Sequence, residues 1–496
     1  MSQINITNLT FAYEGSYDTI FTDVSFQIDT AWKLGFCGRN GRGKTTFLNL
    51  LMGKYEYNGT ISANVNFEYF PFAVEDKTLS TLDILFSVAP EAQIWQIEKE
   101  ISKLAVDENV LYRSFLTLSN GEQTKILLAG LFLRENNFLL IDEPTNHLDM
   151  ESRQTVAKYL NGKAGFILVS HDRVFLDACV DHILSINKAN IEIQQGNFSS
   201  WYYHKQLQDN FELEQDTKLR GEIKRLKESA REKAQWADRA ESRKIGIDPF
   251  KVDNKFGHMP YQAAKSKKMM SRAKSIESRQ QTAIEEKEKL LKNIEEAEEL
   301  KIHPLQYHSS RLLSMENISI RYDREIFREV SFTLEQGDRL AIMGGNGSGK
   351  SSILKLICGE DIPHTGHVRI GSRLVVSYVP QDASFLRGEL NDFITERQID
   401  EVLFKAILRK LDFSRVQFEK SMEDYSAGQK KKVLIAASLC EHAHVYIWDE
   451  PLNYIDVLSR MQIEDLILTY NPTLLFVEHD RAFCDNVATK MLKLTK

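Results

Sequence analysis

Two long stretches of this 496-residue chain repeat each other, and that repeat constrains the fold more than any other feature. GRNGRGKT at 38–45 returns as GGNGSGKS at 344–351. LLIDEPTNHLD at 139–149 returns as YIWDEPLNYID at 446–456, and LVSHDRVFLD at 168–177 as FVEHDRAFCD at 476–485. The offsets barely drift: 306 residues from Lys44 to Lys350, 307 from Glu143 to Glu450, 308 from His171 to His479. A Gly-rich loop, a SxGx stretch, an acidic strand end and a histidine recur in one order. The expectation is two α/β domains, residues 1–198 and 309–496, with residues 199–308 joining them.

Each Gly-rich loop follows a strand-like run (32–37; 339–343) and precedes a helical pattern (45–51; 351–357). That is the setting a phosphate-binding GxxxxGK[ST] loop requires. Glycines let the backbone curl so that successive N–H groups face phosphate oxygens, and the following helix adds its positive end. The nucleotide-facing residues are then Gly38, Asn40, Gly41, Gly43, Lys44, Thr45 and Thr46 in the first copy. In the second they are Gly344, Asn346, Gly347, Gly349, Lys350, Ser351 and Ser352. Lys44 and Lys350 would reach the β and γ phosphates; Thr45 and Ser351 would offer hydroxyls to Mg²⁺. A glycine-rich turn without a ligand would not explain two full motifs with matching partners.

Asp142 and Asp449 end apolar strands, where α/β proteins gather ligands, and suit a Mg²⁺ role. The adjacent Glu143 and Glu450 suit polarisation of an attacking water, and His171 and His479, each after a strand, suit a γ-phosphate sensor. The implied cofactors are ATP and Mg²⁺.

Charge and composition bound the rest. The whole chain carries a net −7, yet Lys218 to Lys274 hold 17 Lys/Arg against 7 Asp/Glu. A basic segment on an acidic body points to an anionic partner for that segment. Nothing approaches the 18 apolar residues of a membrane span, and no secretion signal opens the chain. Five scattered cysteines without metal-type spacing fit a reduced, cytoplasmic protein.

Taken together, these motifs resemble the Walker A, signature, Walker B, D-loop and switch-histidine motifs of ATP-binding cassette proteins. The signature is represented by Leu118-Ser-Asn-Gly-Glu122 and Tyr425-Ser-Ala-Gly-Gln429. The resemblance implies two tandem cassettes (P-loop NTPase domains) paired head to tail within one chain. Ser119, Gly121, Ser426 and Gly428 would then cap the γ-phosphate bound by the opposite cassette, and Tyr13 and Tyr322 would stack on adenine. The glutamine that helps hold Mg²⁺ in the family matches Gln381, whereas Phe72 stands at the corresponding place in the first copy. Ala427 replaces a usual glycine. Both departures fall on the composite site made by the first Walker A and the second signature, so that site is expected to turn over more slowly.

Between the copies, 3–4 spacing of apolar residues from Leu219 to Ala237 and from Met269 to Ala297 predicts an antiparallel helical hairpin. A breaker-rich tip lies near 238–268, with Gly246, Pro249, Gly257 and Pro260. Its Arg239, Arg243, Lys244, Phe250, Lys251, Phe256, Tyr261, Lys265, Lys267 and Lys268 mix cations with exposed apolar groups, which suits RNA contact better than a plain spacer.

Two cassettes, a long helical linker and no membrane part resemble the ABC-F translation factors. They are most like the Lsa-type antibiotic-resistance members of Gram-positive bacteria, which protect ribosomes against lincosamides, pleuromutilins and streptogramin A. The resemblance implies binding of the 70S ribosome at the tRNA exit site, with the linker against 23S rRNA and the P-site tRNA. Two further points fit: only 46 residues separate Phe72 from Ser119, leaving little room for an arm insertion, and the chain ends 17 residues after His479, so no C-terminal extension is expected. Three alternatives stay open: a housekeeping ABC-F factor, an ATPase subunit of a transporter, and a coiled-coil chromosome or DNA-repair ATPase. In the last, the coil would interrupt one cassette rather than join two.

Overall fold

The structure, a computed structural model, describes residues 2–13, 19–134, 137–146, 148–186, 191–211, 304–322, 325–345 and 347–494, with scattered positions between 214 and 228. The expected hairpin beyond 228, all ten tip residues from Arg239 to Lys268, and Asn346 lie outside them. One compact unit comprises Met1–Trp201 and Glu298–Lys496, and a second comprises Tyr202–Ala297. The first holds both copies of the repeat.

Each copy builds a three-stranded antiparallel sheet beside a mainly parallel one. In the first copy the antiparallel sheet runs Thr19–Asp29, Gln3–Ala12, Asn58–Ser62, and in the second Glu325–Glu335, Arg311–Arg321, His364–Ile370. The parallel strands of the first copy lie in the order Asn66–Phe70, Asn137–Asp142, Phe166–Val169, Lys33–Cys37, His182–Ile186, and an antiparallel Ile191–Gln195 closes the edge. The second copy follows the same order: Val376–Val379, Val445–Asp449, Leu474–Val477, Arg339–Met343, Lys490–Lys493.

The sequence explains this pairing. Phe166–Val169, Leu474–Val477 and Val445–Trp448 are continuous apolar runs with every residue buried, as strands covered on both faces must be. Phe47, packed on Phe21, Phe26 and Phe36, joins the first loop helix, Lys44–Leu51, to both sheets. At roughly 25 cal/mol per Å² of apolar area, such fully buried side chains are the main stabilising term of each cassette.

Strand order decides where chemistry can occur. Lys33–Cys37 and Arg339–Met343 are the strands that feed the Gly-rich loops, and each pairs in parallel with the strand that precedes the histidine. The next strand over ends in the acidic pair. Three carboxyl ends thus lie side by side, the place where α/β sheets put ligands.

The candidate nucleotide sites

In both copies the loop curls back on its own lysine. Lys44 is buried and its Nζ donates to the carbonyls of Gly38 at 2.7 Å and Arg39 at 3.2 Å. Lys350 does the same with Gly344 at 2.8 Å and Gly345 at 3.1 Å. Burial pushes both ammonium groups down from their ordinary range, opposed by the carboxylates around them. The residue that starts each helix, Gly43 or Gly349, has φ of 94° or 88°, a left-handed conformation that side-chain-bearing residues rarely adopt.

Beside each lysine the predicted cation residues meet. Thr45 Oγ1 donates to Asp142 Oδ2 at 3.2 Å, and Ser351 hydrogen-bonds Asp449. Asp449 is 1% exposed, and its buried Oδ1 has no partner among the described residues. Burial raises both aspartates. In the first copy Tyr69 Oη also donates to Asp142 Oδ2, at 2.8 Å.

The two glutamates share a backbone and differ in their surroundings. Glu143 and Glu450 have φ of 51° and 45°, and their N–H groups donate to Val169 O at 2.9 Å and Val477 O at 3.0 Å. This sparsely populated conformation aims each side chain at the histidine of its own copy. His171 Nε2 lies 3.3 Å from Glu143 Oε1, and His479 Nε2 lies 3.4 Å from Glu450 Oε1. From there the copies diverge. Glu450 Oε2 accepts from Gln381 Nε2 at 2.9 Å and from Asn453 Nδ2 at 2.7 Å. Burial would push its carboxyl up, but the hydrogen bonds and charge of His479, with Gln381 and Lys350, hold it down at about 2. Glu143 has Phe72 where Gln381 would be. Its buried Oε1 has no hydrogen-bond partner among the described residues, and burial and Asp142 push it up to about 8. Burial, then Lys44 and Arg460, press His171 well below its ordinary range.

The copies complete each other's sites. A cavity of about 980 Å³ is lined by Gly345, Gly347, Gly349, Lys350, Ser351 and Ser352 of the second loop, with Tyr322, Gln381, Glu450 and His479. Ser119, Asn120, Gly121 and Glu122 of the first copy line its other wall. At the opposite pair, Asn40 Nδ2 donates to Tyr454 O at 2.8 Å, and a Cβ on Gly428 would come 3.3 Å from that Asn40 nitrogen. Ser119 and Ser426 each cap the helix they precede, with a matching capping box to Glu122 and Gln429. Tyr13 and Tyr322 are both exposed; Tyr13 Oη lies 2.7 Å from Thr46 Oγ1, and Tyr322 Oη donates to Ser352 at 3.2 Å. Gly38, Gly41 and Gly344 complete the loops.

Several contacts escaped the sequence reading. Arg153 and Arg460 lie in the first turn of the helices Met150–Asn161 and Val457–Tyr470, which the D-loop aspartates cap, and bond Asp172 at 2.9 Å and Asp480 at 3.1 Å. Arg153 also crosses to the second copy, donating to His479 O at 3.1 Å. The signal was present: the two arginines recur at the repeat's own offset, in NHLDMESR and NYIDVLSR.

With this geometry in hand, the comparisons with known proteins decide the family. The ABC transporter profile matches twice, over residues 21–146 and 327–453, which is just over half of the chain. The chain belongs to the ABC transporter family. It binds and hydrolyses ATP, as the family's paired cassettes do, and the ABC-F resemblance drawn from its motifs is borne out. It is 28% identical to ribosome protection protein VmlR of Bacillus subtilis, over 99% of this chain and 86% of that one. It is 27% identical to the energy-dependent translational throttle protein EttA of Haemophilus influenzae, over 95% and 88%. Among solved structures, the archaeal ribosome recycling factor aABCE1, crystallised with the ribosomal stalk protein aP1, is similar in fold with a TM-score of 0.63. It is 19% identical, with 98% of this chain and 87% of that one covered. Among the described residues, no helix is long and apolar enough to cross a membrane.

Proposed function

We propose that this ATPase is a cytoplasmic ribosome-protection factor. It binds the 70S ribosome at the tRNA exit site and dislodges lincosamides, pleuromutilins and streptogramin A from the peptidyl-transferase centre. The observation that carries this reading is the likeness to a ribosome protection protein across 99% of the chain, since that span includes the basic segment as well as both cassettes. The local excess of 17 cations over 7 anions there suits rRNA and tRNA backbones.

In this reading the chain works as a monomer whose own two cassettes pair. Lys44 and Lys350 neutralise the phosphates, while Ser119, Gly121, Ser426 and Gly428 cap them from the opposite cassette. Glu143 and Glu450 polarise the attacking water, and His171 and His479 sense the γ-phosphate. The donor set fits Mg²⁺: each site offers one hydroxyl and one carboxylate, with Gln381 added in the second, and Asp449 keeps a buried oxygen free of partners. Phosphate oxygens would supply the remaining ligands. The ion, when bound, neutralises charge on the β and γ phosphates. Closure is a population shift, since ATP contacts both cassettes only when they are paired. The paired form engages the ribosome, and hydrolysis releases it.

The test is expression in a drug-susceptible host, followed by inhibition assays with a lincosamide and a pleuromutilin. Resistance is expected to rise severalfold, and unchanged susceptibility would reject drug protection. The likeness to EttA favours a second reading, a housekeeping factor acting on ribosomes without drug. Glu143→Gln/Glu450→Gln should co-sediment with ribosomes in ATP under either reading. Failure to do so would remove the ribosome from both.

A further inference from the structure

The two cassettes differ at one pair of buried positions that the nucleotide motifs do not use. In the second cassette they are Lys431, five residues along the signature helix Ala427–Cys440 from its Ser426 cap, and Glu478, just before the switch His479. Both are almost fully buried, at 2% and 4% exposed. At the equivalent positions the first cassette has Thr124 and Ser170. Neither reaches the acidic pair: the Thr124 hydroxyl donates to Asn120 O within its own helix, and Ser170 Oγ lies 3.2 Å from Thr145 Oγ1.

Lys431 bonds to backbone alone. Its Nζ donates to Pro380 O at 3.0 Å, next to Gln381, and to Glu450 O at 3.1 Å. Glu478 braces the same region from the other side. Its Oε1 accepts the Leu452 N–H at 2.7 Å, and its Oε2 the His479 N–H at 3.1 Å. Burying two titratable side chains costs free energy that apolar residues would avoid, so the arrangement calls for a role beyond packing. Glu450 supplies one. Its φ of 45° is strained for a residue with a side chain and persists only where the surroundings over-determine it. Val477 holds its N–H and Lys431 holds its C=O.

We propose that Lys431 and Glu478 are together positioning residues of the second cassette. They fix the Gln381 loop, the Glu450 backbone and the switch His479 in one register, so that Glu450 faces the water it polarises. The first cassette lacks this strut and has Phe72 in place of the glutamine, so the two differences reinforce each other. The inference rests on the reading of Glu450 as the water-polarising carboxylate.

The experiment compares full-length Lys431→Met, Lys431→Met/Glu478→Gln and Glu450→Gln. The double variant removes both charges, so that neither is left buried alone. ATPase rate is followed against ATP concentration, together with affinity for a fluorescent ATP analogue and melting temperature. Misplacing a reacting group by an ångström costs up to about a hundredfold, so the double variant should lose about tenfold or more in kcat. KM and analogue affinity should change by less than about threefold, because the strut touches no part of the nucleotide. A purely structural pair would instead lower the melting temperature and leave kcat per folded molecule intact. A folded double variant with kcat within about twofold of the parent, or a loss confined to KM, overturns the proposal. Glu450→Gln separates the two layers. If it loses activity while the double variant does not, the role of Glu450 stands and the strut falls. If Glu450→Gln itself keeps the parental rate, the role of Glu450 falls and takes the strut with it.

Discussion

A general base must be ionised to work, and the two glutamates proposed for that role meet the demand at different pH. Glu450, surrounded by N–H donors and held at about 2, is a carboxylate throughout the physiological range. Glu143, buried beside Asp142 and pushed up to about 8, keeps its proton until the solution turns alkaline. Glu450→Gln leaves turnover to the first site, so its kcat/KM should climb from about pH 7 to about pH 9, since kcat/KM reports the free enzyme's groups. Glu143→Gln leaves the second site and should give a flat profile over the same range, with the higher rate at neutral pH. Two matching profiles would contradict this assignment. The same shift has a stability consequence of definite sign. A carboxyl whose folded-state pKa lies above its unfolded one binds its proton more tightly when folded, so folding loses stability as pH rises from the ordinary carboxylate range to about 8. Glu143→Gln should therefore melt higher than the parent, most clearly above pH 8, as calorimetry at several pH values would record.

At the scale of the element, the phosphate loop is set by where a side chain is forbidden. Gly43 and Gly41 both have positive φ, 94° and 80°. A Cβ on Gly43 would lie 2.6 Å from Ile20 Cγ2, whereas one on Gly41 would meet nothing within 4 Å. Gly41→Ala should cost only the left-handed strain, about 1–2 kcal/mol. Gly43→Ala adds a clash at the start of the helix Lys44–Leu51 and should weaken nucleotide binding at the first site by a further tenfold or so, about 1.4 kcal/mol. Equilibrium binding of a fluorescent ATP analogue to the two variants checks the ranking. Such loops were legible in the sequence because their constraint is local: GxxxxGK[ST] between a strand and a helix leaves few conformations. The strands were legible for the same reason, since Phe166–Val169 and Val445–Trp448 are apolar without interruption. What stayed hidden depends on contacts between distant segments. Nothing near Lys431 announces that its amine will cap two carbonyls 51 and 19 residues away. Likewise nothing at Tyr69 says that its hydroxyl will join Thr45 on Asp142.

At the scale of the whole ATPase, the pairing of cassettes brings like charges together. Asp172 and Asp480 cap equivalent helices, Arg173–Cys179 and Arg481–Val487, and both are almost fully buried. Burial and then the charge of Asp480 push Asp172 up, with Arg153 and Arg460 acting against them. The two arginines therefore do more than link neighbouring loops: they neutralise a repulsion that would otherwise open the interface. Arg153 carries the extra bond across to His479 O, so it ties closure directly to the switch segment of the opposite site. Hydrogen bonds to charged groups are worth about 1.5–3 kcal/mol. Arg153→Gln should thus raise the ATP concentration needed for closure by roughly tenfold or more. Fluorescence transfer between dyes on one engineered surface cysteine per cassette measures this, and four of the five natural cysteines are buried and will not compete for label. If unopposed charge is the cause, Asp172→Asn placed on top of Arg153→Gln should return closure towards the parental ATP concentration, because it removes the carboxylate that the arginine had neutralised. Arg153→Gln that closes like the parent, or a double variant that closes no better than the single one, would mean that other cross-cassette contacts hold the interface, such as Asn40 on Tyr454, Arg39 and Arg42 on Asp412, and Arg173 on Glu464.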